Sequence, residues 1–93
     1  MITFEKGCEI ALARFQEEDS DVAGLCSALE VDGGWVFNED YGDDIIRFGP
    51  QPLIVDMRTG ECKTFMLNYM ENMEEFDSGK ELEIPEKFRA RKR

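Results

Sequence analysis

Apolar residues near the start of the chain recur at the spacing of one helical face. They are Phe4, Cys8, Ala11, Leu12 and Phe15. Residues three and four positions apart lie on the same side of an α-helix, so this spacing predicts an amphipathic helix with Thr3 as its N-cap. The acidic run at residues 17–21 opposes the helix dipole, and we therefore expect the helix to end near residue 16.

The segment after this helix predicts a β-hairpin. Residues 22–31 are rich in small and branched side chains, and the following Asp32-Gly33-Gly34 is a strong tight-turn signal. A returning strand is expected to begin at Trp35, with Trp35 and Phe37 as an aromatic pair in the core beneath the first helix. The expected inward positions of the first strand are Leu25, Leu29 and Val31.

A second hairpin and a second helix follow. Residues 53–55 and 62–66 are predicted strands, joined by a loop in which Gly60 supplies the left-handed residue. A helix is predicted from Asn68, with Glu71 as its capping-box partner. Its expected buried stripe is Tyr69, Met70, Met73 and Phe76. Residues 82–85 are expected to be extended and to dock on the surface.

The order helix, hairpin, hairpin, helix predicts a small α+β domain. We expect one antiparallel sheet of about four strands, with the N-terminal and C-terminal helices packed on one face. The 93 residues have room for a single domain, which we predict to span residues 1–86. The basic residues 87–93 are expected to form a disordered tail.

Charge is distributed unevenly along the chain. The whole chain carries 21 acidic and 11 basic residues, a net charge of −10 at pH 7. Five of the basic residues lie in the tail, so residues 1–86 hold 6 basic and 21 acidic groups, a net charge of −15. Such a domain repels nucleic acids and anionic membranes and attracts basic proteins. We therefore expect a protein partner with a basic surface, and no nucleic-acid or membrane binding.

The cysteines and the N-terminal residues favour a cytoplasmic location. The three cysteines lack C-x-x-C spacing, and the chain has no histidine, which argues against a zinc site and against structural disulfides. The opening residues lack the basic region of a signal peptide, and no apolar stretch has the length of a membrane span. We expect a cytoplasmic protein with reduced thiols, either a monomer or a dimer paired through edge strands.

The segment VFNEDYGDDIIRF, residues 36–48, holds a distinctive acidic cluster. Its four carboxylates surround Tyr41 and belong to Glu39, Asp40, Asp43 and Asp44. A calcium loop of the EF-hand type is not indicated, because Gly42 is one position early and no glutamate closes the loop. A solvated loop that protects an edge strand is one interpretation, whereas the central tyrosine favours a steered protein–protein contact. A second acidic patch consists of Glu17, Glu18, Asp19 and Asp21.

The residue types that catalysis requires are largely missing. Without histidine, the chain cannot form Ser–His or Cys–His nucleophile pairs, and its Gly33-Gly34 pair belongs to a hairpin turn. Paired carboxylates need a water-excluding cleft that separates their pKa values, and a thin two-layer domain offers none. We therefore expect no enzymatic activity, no catalytic residue, no metal site and no cofactor.

The order of several motifs resembles a known family. They are MITFEKGCEIAL, GGWVF, GPQPLIVDMRTGECKTF and NYMENMEEF. This order is similar to the immunity protein 35 family, which includes the YrhB-like small bacterial proteins, over nearly the whole chain up to residue 76. The resemblance implies a small α+β domain and an antitoxin that binds and blocks a cognate polymorphic toxin. It also implies that residues 39–48 are where such proteins vary.

Other functions remain open at this point. A chaperone for an exported effector or another secreted partner would also be small and acidic, but it would grip an extended segment rather than a folded active site. A nucleic-acid mimic would bind basic proteins without selectivity, and a small enzyme is a further alternative. The nature of the partner distinguishes these classes.

Overall fold

The computed structural model describes residues 1–42, 52–65, 74 and 77–90. This part of the chain forms α-helix α1 (Phe4–Glu18), strands β1 (Gly24–Val31), β2 (Gly34–Asp40), β3 (Leu53–Asp56), β4 (Cys62–Thr64) and β5 (Lys80–Leu82), and a 3-10 turn (Glu86–Phe88). The five strands make one sheet in the order β4-β3-β2-β1-β5, and each neighbouring pair is antiparallel. The predicted α+β class with one antiparallel sheet is thus confirmed.

Helix α1 has the N-terminus that the sequence predicts and a longer C-terminal end. The hydroxyl of Thr3 accepts a hydrogen bond from the Lys6 amide at 3.1 Å, which satisfies one of the free donors of the first turn. The helix continues through Glu18 instead of ending near residue 16. One reason is that the Arg14 guanidinium pairs with the Glu18 carboxylate at 3.2 Å, which offsets the acidic charge at that end.

A β-bulge in β1 changes which side chains face the helix. The β1–β2 register shifts between Leu25 and Ser27, leaving one extra residue on β1. Leu25 and Ala28 therefore both lie in the core beneath α1. Leu29 and Val31, also predicted as inward positions, lie on the opposite face, where Val31 is buried with Val36 and Leu29 packs against that smaller cluster.

The aromatic pair predicted beneath α1 is confirmed. Trp35 and Phe37 are buried, and the ring of Phe4 lies 5.6 Å from that of Trp35 and 5.9 Å from that of Phe37. Gly7 permits this close packing, because a Cβ atom there would lie 2.7 Å from Trp35 Cε3. The first turn of the helix is thereby fixed over the centre of the sheet.

The C-terminal part of the chain departs from the sequence prediction. The described sheet has a fifth strand, because Leu82 pairs with Ala28 and Lys80 with Glu30. All four residues of the expected buried stripe, and nearly all of the expected second helix, lie outside the described residues. The predicted domain boundary at residue 86 needs correction, because Phe88 is buried in the core beneath α1. Folded structure therefore extends at least to Ala90, while residues 91–93 of the expected tail lie outside the described residues.

Helix length and polarity bear on membrane insertion. Among the residues that the structure describes, no helix has the length and apolar character needed to cross a bilayer. Helix α1, for example, has 15 residues and an acidic C-terminal turn, whereas a membrane-spanning helix needs about 20 consecutive apolar residues.

Candidate acidic interaction surface

The last residues of β2 are held in place by the start of β1. Asp40 pairs with Gly24 in the sheet, and its backbone carbonyl accepts a hydrogen bond from the Ala23 amide at 2.8 Å. Its carboxylate accepts a second bond, from the Gly42 amide at 2.8 Å. Gly42 has a φ angle of 74°, a left-handed conformation that suits glycine. The chain therefore turns sharply just after Tyr41.

The turn between α1 and β1 is organised by Asp19. Its amide donates to the Phe15 carbonyl at 2.8 Å and so closes the helix. Its Oδ1 accepts a hydrogen bond from the Asp21 amide at 3.0 Å, and its carbonyl accepts one from Val22 at 3.2 Å. This side-chain-to-backbone pattern stabilises a tight turn. As a result, the second acidic patch consists of the last turn of α1, with Glu17 and Glu18, and the structured turn that holds Asp19 and Asp21.

One hydrogen bond joins the two acidic patches. The Tyr41 hydroxyl donates to Asp19 Oδ2 at 3.2 Å, although the residues are 22 positions apart. We call the combined surface the acidic end. Its described members are Glu17, Glu18, Asp19, Asp21, Glu39, Asp40 and Tyr41. The sequence predicted two separate patches. Their contact joins residues far apart in the chain, so no local sequence pattern could have predicted it. Asp43 and Asp44 lie outside the described residues.

Glu39 lies where burial and neighbouring carboxylates make its negative charge unfavourable. Glu39 is opposite Leu25 in the sheet, so both side chains lie on the α1 face. Partial burial raises the pKa of the Glu39 carboxyl, and the nearby carboxylates of Asp19 and Glu18 raise it further. Because these carboxylates repel one another, a positively charged group of a binding partner would be attracted to this position.

The three cysteine thiols lie in surroundings that lower their reactivity. Burial raises the pKa of the Cys8 thiol to about 11, and burial also raises the pKa values of Cys26 and Cys62. These thiols are protonated near neutral pH and are weak nucleophiles. Within the described ranges, no group of three acidic or cysteine side chains is placed to hold a metal ion. The described side chains of the acidic end, six carboxylates and one phenol, can form ion pairs and hydrogen bonds.

Comparison with known proteins gives no assignment. The chain matches no protein-family model, no curated protein and no solved structure. The features that distinguish the candidate surface are the joined acidic patches and the tyrosine between them.

Proposed function

We propose that this chain is an immunity protein, an antitoxin that binds and neutralises a cognate bacterial polymorphic toxin by a stoichiometric contact. The observation that carries the proposal is the Tyr41–Asp19 hydrogen bond. It joins two acidic patches into one surface around an amphipathic aromatic side chain. The motif order described above, which resembles the immunity protein 35 family, supports the same class.

In the proposed mechanism, the acidic end captures basic side chains of the toxin. Lysine and arginine residues of the partner pair with the carboxylates of the acidic end, and Asp43 and Asp44, which follow it in the sequence, are expected to share this role. The long-range field of a domain with net charge −10 accelerates the encounter, and charge complementarity then selects the partner. Blocking requires no turnover, so the protein acts in the cytoplasm as an inhibitor without cofactor or metal.

Tyr41 has the anchoring role in this mechanism. Its ring packs partly against the core, and its hydroxyl is already oriented by Asp19. A side chain ordered before binding loses less conformational entropy in the complex. Tyrosine is also enriched at the centres of interfaces, where its ring is desolvated while its hydroxyl stays paired. Tyr41 is therefore the expected centre of the contact.

The relation between Glu39 and its neighbours adds a driving force. In the free protein, the Glu39 carboxylate is partly desolvated and faces the charges of Glu18 and Asp19. A partner cation placed between them replaces repulsion by attraction. The contact therefore favours arginine, which can bond to carboxylates in a bidentate fork.

A pull-down of the full chain from its native host tests the proposal. Bound proteins are washed at low and then at high salt, identified, and expressed in a susceptible cell with and without this chain. The proposal predicts one partner with a folded enzymatic domain that survives high salt and whose toxicity the chain suppresses.

Other outcomes of the pull-down contradict the proposal in different ways. An exported protein held in an extended form would support the chaperone alternative. A mixture of basic proteins lost at high salt would indicate only polyanion behaviour, because screening removes weak surface electrostatics.

A further inference from the structure

Residues 85–90, here named the C-terminal strap, insert an aromatic anchor into the core. The strap makes one tight turn, in which the Phe88 amide donates to the Pro85 carbonyl at 2.9 Å and the Arg89 amide to Glu86 at 3.0 Å. The Phe88 side chain is only 7% exposed and belongs to the same core as Val22 and Leu25. The strap is therefore part of the folded domain.

The strap packs directly against the start of β1. A Cβ atom on Gly24 would lie 2.3 Å from the Ala90 nitrogen and 2.6 Å from the Arg89 carbonyl carbon. The backbone of the strap lies so close to the backbone of β1 that only glycine fits at position 24. Gly24 in turn pairs with Asp40. The strap thus packs against the pairing of β1 with β2, and this pairing positions Asp40 at one edge of the acidic end.

The strap is attached in a way that allows it to open alone. Within the described residues, its backbone hydrogen bonds are internal, and β5 ends before it begins. The Arg89 side chain donates to the carbonyl of Ile84, the residue just before the strap, at 2.8 Å. Lys87 pairs with Glu5 on α1, and both side chains are more than half exposed. Opening the strap therefore breaks exposed ion pairs and removes Phe88 from the core, but breaks no described bond of the sheet ladder.

We propose that the C-terminal strap is a latch that controls the acidic end. When closed, it holds the start of β1 against the end of β2. When open, it frees the backbone around Gly24 and loosens the bond between the Ala23 amide and the Asp40 carbonyl. The regulatory part of this inference rests on the proposed function. A partner that binds the closed form stabilises closure, and closure strengthens partner binding by the same factor.

Amide hydrogen exchange of the full chain tests the latch without any partner. The reporter is the Ala23 amide, bonded to Asp40, and the reference is the Asp56 amide, bonded to the Glu61 carbonyl at 2.8 Å. Phe88→Ala removes the anchor, and large-to-small changes in cores shift equilibria by about 100-fold or more. We expect exchange at Ala23 to rise by at least about tenfold more than at Asp56, and Phe88→Leu to restore most of the protection.

A second variant covers the case in which Phe88→Ala does not fold. Lys87→Met removes the pair with Glu5 without creating a cavity, and exposed pairs shift equilibria by up to about fivefold. At low salt, we expect a small rise in the exchange rate of the Ala23 amide and no change in that of the Asp56 amide. Fluorescence of Trp35, the single tryptophan, reports whether the core stays intact.

Two results would overturn the latch. Exchange at Ala23 that stays unchanged, or that rises in parallel with Asp56, would show that the strap does not open separately. If Ala23 loosens in Phe88→Ala but an identified toxin binds that variant as tightly as the wild type, the regulatory link fails. If Ala23 loosens and the native host yields no toxin, the latch stands and the proposed function fails.

Discussion

The Tyr41 hydroxyl donates a hydrogen bond to Asp19 Oδ2 across 3.2 Å. Asp19 ends α1, whereas Tyr41 follows the last residue of β2. Because the other carboxylate oxygen of Asp19 accepts the Asp21 amide, one side chain connects the helix end, the following turn and the end of β2. This connection turns two acidic segments into one surface.

Replacing Tyr41 by Phe tests that connection. The substitution keeps the ring packed on the core and removes the hydroxyl donor, so we expect a loss of about 0.5–1.5 kcal/mol in the free energy of unfolding. The contact is exposed, which favours the lower end of this range. Urea unfolding measures the change. A double-mutant cycle with Asp19→Ala should give non-additive losses, and strict additivity would contradict the coupling.

The charge of the acidic end is tested by reversal at two exposed positions. Glu17→Lys with Asp21→Lys changes the charge without touching Asp19. Asp32→Lys with Glu81→Lys makes the same change in net charge away from this surface. We expect the first variant to slow association with an identified toxin by about tenfold or more at low salt, and the control to slow it far less. Stopped-flow rates that fall equally in both variants would show that only the overall charge matters.

The raised pKa of Glu39 predicts a pH-dependent effect on stability. A carboxyl whose pKa is higher in the folded state binds more protons there, so its contribution to stability decreases as pH rises from its unfolded pKa through its folded pKa. At neutral pH the charged Glu39 is therefore unfavourable because of burial and the charges of Asp19 and Glu18. We expect Glu39→Gln to stabilise the fold at pH 7 and to lose this advantage at about pH 4.

Unfolding of Glu39→Gln and wild type at both pH values checks this sign. Glu81→Gln on β5 is the matched control, because its side chain is exposed. A stabilisation by Glu39→Gln that is the same at both pH values would exclude the electrostatic explanation. A destabilisation at pH 7 would show that the backbone hydrogen bond to this carboxylate outweighs its desolvation.

Local sequence patterns predicted helix α1 and the first hairpin. Strand β5, which was not predicted, depends on pairing between residues far apart in the chain. The spacing from Phe4 to Phe15 and the turn at Gly33 each depend on residues close in sequence, so α1 and the first hairpin were predictable. Strand β5 has only three residues, two of them charged. Its extended structure is set by pairing with the edge of β1, which no local window contains.

The same distinction applies to the candidate site. The extra residue at Cys26 shifts every later side chain of β1 to the opposite face, and composition does not reveal a bulge. Glu39, Asp40 and Tyr41 were recognisable as a cluster because they are adjacent. Their approach to Asp19 depends on how α1 crosses the sheet, and the packing of Phe88 depends on the space left beside α1. Both are properties of the assembled core.

Gly7 provides a test in which helix propensity and packing act in opposite directions. Alanine in an exposed helix interior is more favourable than glycine by about 1 kcal/mol. At Gly7, however, the new methyl group would lie 2.7 Å from the Trp35 ring, and a buried aromatic ring cannot move aside without strain. We expect Gly7→Ala to lower the melting temperature. The control is Ala13→Gly on the exposed side of α1, which measures the effect of helix propensity without any change in packing. A Gly7→Ala variant that is more stable than wild type would contradict the predicted clash with Trp35.

The basic residues 91–93 are expected to weaken association with a basic partner. Removing these three cations changes the net charge from −10 to −13, so attraction to a basic toxin becomes stronger and association faster at low salt. A full-length control carries Arg58→Gln, Lys63→Gln and Lys80→Gln, which changes the net charge equally at exposed sites. Equal acceleration in both variants would assign the effect to the overall field. A larger acceleration on truncation would show that the C-terminal cations act locally, and unchanged rates in both would contradict electrostatic steering of this protein.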